Sequence, residues 1–141
     1  PDVLLRCGEY VRFITQGRYD QLSFLADEAG AETLHIRDQN GVYHPMQPPL
    51  SSGTLDQIYL AFRLAVIDHL DAGQEPLPLV LDEILINWDD ARFERGLELL
   101  SRISEGRQIF LCTCRRSVAE AVSNLPRASL LSLDPVQEAP G

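Results

Sequence analysis

Apolar residues recur at helical spacing near the start of the chain, at Val3, Leu4, Cys7, Tyr10, Val11 and Ile14. Asp2 stands before them as an N-cap, and Gly17 ends the run, so a helix is predicted over residues 1–17. The period then shortens toward two. From Tyr19 to Ala26, Leu22 and Phe24 fall on one side, and from Glu32 to Arg37, Leu34 and Ile36 do the same. Asn40-Gly41 is a hairpin signal, with Val42, Tyr43 and His44 as the returning strand. These segments predict a small antiparallel β-meander. Pro45, Pro48 and Pro49 then break the chain into a loop that delivers Leu50-Ser51-Ser52-Gly53.

Beyond that loop, Leu55, Ile58, Tyr59, Phe62, Ala65, Val66 and Leu70 mark a long amphipathic helix closed by Ala72-Gly73. Pro76 to Leu81 is wholly apolar, as suits a strand buried on both faces, and it runs into Asp82-Glu83. The next helix turns Phe93, Leu97, Leu100 and Ile103 inward, with Asp89 or Asp90 at its positive end. Gln108 to Thr113 reads as a second buried strand. Ser117 and Glu120 have capping-box spacing for a short helix ending near Asn124-Leu125-Pro126, and Ala128 to Leu133 reads as a last strand. The alternation of helix and strand from Gly53 onward predicts an α/β fold, a mainly parallel sheet flanked by helices. Ligands of such sheets bind at the carboxyl ends of the strands, where Asp82-Glu83 and Thr113-Cys114-Arg115 fall.

Composition narrows the function. With 141 residues, 45% of them hydrophobic, the chain has ordinary globular makeup, which excludes disordered and disulfide-framework classes. Twelve basic residues face twenty-one acidic ones, a net charge of −9, so a broad nucleic-acid-gripping surface is not expected. All twelve basic residues are Arg, and a phosphate loop that depends on lysine is therefore incomplete here. Cys7, Cys112 and Cys114 lie in or beside apolar stretches and are read as reduced thiols of a cytoplasmic protein rather than as metal ligands. His35, His44 and His69 read as ordinary surface or partly buried residues. No apolar run reaches membrane-spanning length, so no membrane is expected as a partner, and a chain that begins at Pro1 is expected to be a piece of a longer one.

Three pieces carry candidate chemistry. Leu50-Ser51-Ser52-Gly53-Thr54 opens a helix, and such a turn presents free backbone N–H groups and the positive end of a helix dipole to an anion. Asp82 is placed to hold the hydration shell of Mg²⁺, and Glu83 to orient or deprotonate a water attacking a phosphoryl group. Asn87-Trp88-Asp89 follows at once.

Together these pieces resemble the ATP-binding cassette ATPases, specifically the carboxy-terminal lobe of the SMC, SbcC and RecN type of head. Leu50 to Gly53 resembles the signature motif, Leu79 to Glu83 the Walker B strand with its catalytic glutamate, and Asn87-Trp88-Asp89 the D-loop. The stretch Leu50 to Ala65 is particularly similar to bacterial YhaN-type coiled-coil ATPases linked to DNA repair. The resemblance implies that residues 18–141 form the C-terminal lobe and residues 1–17 the root of a coiled coil. It implies as partners an N-terminal lobe carrying the Walker A loop, which this chain lacks, a second head in a homodimer, and, through the full-length protein, DNA and a nuclease. It also implies ATP and Mg²⁺ as cofactors. Ser51, Ser52 and Gly53 then cap the nucleotide of the other head, Asp82 holds the metal, and Glu83 and Asp89 serve catalysis. Thr113 and Arg115 stand where the family commonly has a γ-phosphate-sensing histidine. Two alternatives compete: a catalytically inactive dimerisation module of the same fold, and a metal nuclease using Asp82, Glu83, Asp89 and Asp90.

Overall fold

The hydrophobic pattern resolves, in the computed structural model, into α1 (Asp2–Ile14), β1 (Tyr19–Ala26), β2 (Glu32–Asp38), β3 (Tyr43–Pro45), α2 (Ser52–Leu70), β4 (Leu79–Asp82), α3 (Asp90–Ile103), β5 (Ile109–Cys112) and α4 (Arg116–Ser123). The structure describes residues 2–26, 30–86 and 88–133. Asp2 lies in the first turn of α1 rather than ahead of it.

The first three strands form an antiparallel sheet in the order β1-β2-β3, with Leu22 opposite Ile36 and Phe24 opposite Leu34. Gly41 adopts φ 80° at the β2–β3 turn, a conformation that costs a residue with a Cβ, and Asp38 accepts hydrogen bonds from the N–H groups of Asn40 and Val42. Helix α1 lies directly on β1. A Cβ on Gly8 would stand 2.6 Å from the carbonyl oxygen of Asp20, so only glycine allows this approach.

Helix α2 is the axis of the molecule. Its Ile58, Ala61 and Ala65 join Cys7, Val11, Tyr19, Leu22 and Ile36 in one core. Its Leu60 and Leu64 join Ile14, Leu81, Leu85, Leu97, Leu99 and Leu100 in a second. Burial therefore wraps around the helix, and the single stripe expected from the sequence is corrected: Tyr59 and Leu70 face solvent, while Gln57 is buried and donates from Nε2 to the carbonyl of Ile14 at 3.2 Å. The far end of α2 is held by charge. Arg107, almost wholly buried, reaches Asp68 at 3.2 Å and Asp71 at 2.8 Å, and the Tyr10 hydroxyl donates to Asp68.

The parallel sheet consists of β4 and β5, paired from Leu79↔Ile109 to Asp82↔Cys112. Leu81 packs inward against α3, but Val80 is 64% exposed and Phe110 43%. The two strands are thus covered on one face, not on both as the sequence suggested. Residues two apart in a strand share a face, so neighbours Val80 and Phe110 lie on the bare side together with Asp82 and Cys112.

Two further expectations are corrected. Ala128 to Leu133 forms no strand; a strand needs a hydrogen-bonding neighbour, β5 pairs only with β4 among the described residues, and Leu131 is 79% exposed. Ser117 and Glu120 make no capping box. Helix α4 starts one residue earlier, behind Arg115, and Glu120 instead accepts from Arg116 Nε at 2.8 Å.

Candidate functional site

Two clusters of the expected residues lie at opposite ends of the chain segments that carry them. The first is at the carboxyl edge of the parallel sheet. Asp82 ends β4 opposite Cys112, exposed and on the bare face. Glu83 follows in a left-handed conformation, φ 46°, which a residue with a side chain adopts only at a cost of about 1–3 kcal/mol. Its N–H donates to the carbonyl of Cys112 at 3.0 Å, which carries the pairing one residue past the strand. The Glu83 carboxylate accepts a hydrogen bond from the backbone N–H of Cys114. That N–H, followed by the Cys114 thiol, holds the carboxyl below the usual glutamate range, with smaller contributions from Thr113 and the charge of Arg115. Glu83 is therefore an anion at neutral pH.

Beyond Cys114 the segment doubles back. Thr113 Oγ1 accepts from the Arg115 N–H at 3.0 Å, and Arg115 Nη1 donates to the carbonyl of Ile86 at 2.9 Å. The structure brings Asp82, Glu83, Thr113 and Arg115 to one edge.

The second cluster is at the start of α2. Ser51 is the N-cap, in extended conformation, and its Oγ accepts from the N–H of Thr54 at 3.2 Å and lies 2.8 Å from the Thr54 hydroxyl. Ser52 is exposed at the first helical position. Gly53 is buried beneath the guanidinium of Arg92; a Cβ there would stand 2.5 Å from Nη1. The same Nη1 lies 3.2 Å from Asp89 Oδ2, while Asp89 Oδ1 caps α3 by accepting from the Arg92 N–H at 2.9 Å. Arg92 thus joins the Ser-Ser-Gly turn to Asp89. Trp88 packs on Gly96, where a Cβ would meet its ring at 2.6 Å; Asn87 lies outside the described residues.

Among the described residues no hydrogen bond or ion pair links Ser51–Gly53 to Asp82 or Glu83, and the two clusters are built on different elements. Nor does any group of three or more His, Cys, Asp or Glu side chains converge. Asp82 alone fits Mg²⁺, which keeps several waters and is commonly held by one or two carboxylates and the substrate's phosphates, but it makes no closed metal cage.

Two contributors escaped the sequence reading. Arg92 had a signal, since it stands three residues after an N-cap aspartate and faces back along the helix. Cys114 acts through its main chain, and a backbone donor leaves no mark in residue identity.

No protein-family model matches the chain. It is 36% identical over 122 residues to the uncharacterized protein YhaN of Bacillus subtilis, covering 86% of this chain and 12% of that protein. Among solved structures, the Smc head domain of Pyrococcus furiosus, with an extended coiled coil and bound to the C-terminal domain of ScpA, matches with a TM-score of 0.60 at 19% identity, over 83% of this chain and 29% of that one. The SMC head domain of Thermotoga maritima matches at 0.57 and 23% identity, over 85% and 40%. A structure from work on ATP-driven dimerization and DNA-stimulated activation of SMC ATPases matches at 0.63 and 17% identity, over 83% and 70%.

Proposed function

We infer that this chain, a relative of YhaN with the fold of part of an SMC ATPase head domain, is the C-terminal half of an ATP-hydrolysing head that dimerises around nucleotide. One observation carries this reading most strongly. The parallel sheet leaves a bare apolar face, Val80 beside Phe110, and that same face bears Asp82. Parallel strands are almost always covered on both sides. Covering this face with a lobe that brings a Walker A loop buries the apolar pair and sets Asp82 beside the phosphates in one move. The helix α1 is, on this reading, the returning root of a coiled coil, and the whole acts in the cytoplasm in DNA repair or maintenance, with DNA and a nuclease as partners of the full-length protein.

Within the head, Asp82 holds Mg²⁺ through its hydration shell, and the metal supplies charge neutralisation on the phosphates. Glu83, ionised and aimed by the Cys114 N–H, orients the attacking water and accepts its proton. The N-terminus of α2, with the Ser51 and Ser52 hydroxyls and the backbone of Gly53, meets the γ-phosphate of ATP on the second head. Asp89 sits in the same interface, ion-paired with Arg92, whose guanidinium packs over Gly53. That the two clusters stand on different elements, with no hydrogen bond or ion pair between them among the described residues, supports this division, one serving the head's own nucleotide and the other its partner's. Closure around ATP and reopening after hydrolysis is then a population shift driven by nucleotide.

Glu83→Gln in the full-length protein is expected to lower ATP turnover about 100-fold or more, the usual loss of a general base. Undiminished turnover overturns the role of Glu83. Thr113 is followed by Cys114, Arg115 and Arg116, with no histidine where the resemblance implies one near the γ-phosphate, which favours a slow enzyme. A head that binds ATP but hydrolyses no faster than its Glu83→Gln variant is a dimerisation module instead.

A further inference from the structure

We propose that Arg115 is a positioning residue that splints the turn carrying Glu83, rather than a ligand of the γ-phosphate; this rests on the functional reading above. Three contacts run between the 112–115 segment and residues 83–86, and a fourth braces the 112–115 segment itself. The carbonyl of Cys112 accepts from the Glu83 N–H at 3.0 Å, and the Cys114 N–H donates to the Glu83 carboxylate. The Arg115 guanidinium donates to the Ile86 carbonyl at 2.9 Å, and the Arg115 N–H is itself tied to Thr113 Oγ1 at 3.0 Å. These contacts bracket a turn that its own sequence does not favour. Glu83 and Leu85 both hold left-handed backbone, φ 46° and 68°, with side chains that disfavour it. Leu85 is anchored in the second core, which fixes one end of the turn from inside. Ile86 is partly exposed, and the arginine is the side chain seen holding its carbonyl from outside.

A strained turn persists only where its surroundings over-determine it. Here a core leucine, one main-chain hydrogen bond from Glu83 to Cys112, one from the Cys114 N–H to the Glu83 carboxylate, and one guanidinium do so. With its Nη1 committed to Ile86, the arginine sets the direction in which the chain leaves Glu83 and heads for Trp88 and Asp89. Its effect on catalysis therefore passes through the placement of Glu83, where errors of an ångström are costly to rate.

The test uses the full-length protein with ATP and Mg²⁺, comparing Arg115→Ala with Arg115→Lys, whose ammonium can still donate to a carbonyl. Arg115→Ala is expected to lower kcat about tenfold or more, with KM for ATP changed less than about twofold and ATP-dependent dimers retained. Arg115→Lys is expected to recover a large part of kcat. Hydrogen exchange without nucleotide is expected to quicken over residues 83–88 in Arg115→Ala and to return toward the original rate in Arg115→Lys. A raised KM with loss of ATP-dependent dimers, or unchanged exchange over this turn, overturns the proposal. A wild-type protein that hydrolyses no ATP refutes the functional reading separately, and the exchange measurement then decides the splint by itself.

Discussion

Gly53 lies beneath the guanidinium of Arg92, where the proposed dimer surface and the fold make different demands on it. A Cβ at this position meets the tip of Arg92, which can swing aside, rather than backbone. Gly53→Ala is therefore expected to change stability by less than about 1 kcal/mol, because a flexible side chain yields cheaply. The displaced guanidinium then leaves Asp89, 3.2 Å away in the native arrangement, and the added methyl narrows the approach to the helix N-terminus. ATP-dependent dimerisation of the full-length protein should weaken at least about tenfold while its thermal midpoint holds, the two being read by light scattering and calorimetry. A variant that dimerises normally removes Gly53 from the interface. Cys7 is a residue of the opposite kind: burial pushes its thiol up to about 12, so it is inert packing, while Cys112 and Cys114 are exposed free thiols.

Elements form here where local pattern and tertiary cover agree, and depart from expectation where cover is lacking. Helix α1 and strand β2 follow their sequence periods closely, because each has one core face and one solvent face, whereas β1 carries a register irregularity between Tyr19 and Gln21 and buries Leu22 but leaves Phe24 55% exposed. Helix α2 departs from its period, since it is gripped from two sides and the apolar stripe of Leu55, Tyr59 and Leu70 misstates which positions are inside. Strands β4 and β5 read as doubly buried because their composition suits cover on both faces, and the described residues cover only one. The apolar run from Ala128 to Leu133 has strand composition but no neighbouring strand. The spacing of Asp82, Glu83 and Asp89 is legible in the sequence as a candidate site; the Cys114 N–H and the left-handed turn at Glu83 are not, being properties of backbone placement. The α1–β1 contact offers a clean test at this scale. Gly8→Ala forces a methyl against the Asp20 carbonyl and should cost about 1–3 kcal/mol in chemical denaturation, as overpacking does. An unchanged midpoint contradicts the close approach.

At the scale of the whole molecule, the two cores are covered to different degrees among the described residues. One core is complete, built from α1, α2 and the antiparallel sheet. The other ends in a two-stranded parallel sheet with Val80 and Phe110 uncovered, too small to be a finished sheet. The chain covers 12% of the YhaN sequence it matches and 29–70% of the three SMC structures compared. The central claim is that the two separated clusters serve two nucleotides in a closed dimer of heads. It is tested most directly by the mass, from light scattering, of full-length Glu83→Gln protein with and without ATP and Mg²⁺. The account predicts head-to-head association that requires ATP and is lost when Ser52 is replaced by Arg, which blocks the helix N-terminus with bulk and positive charge. Association that is indifferent to ATP, or that survives Ser52→Arg unchanged, would contradict it.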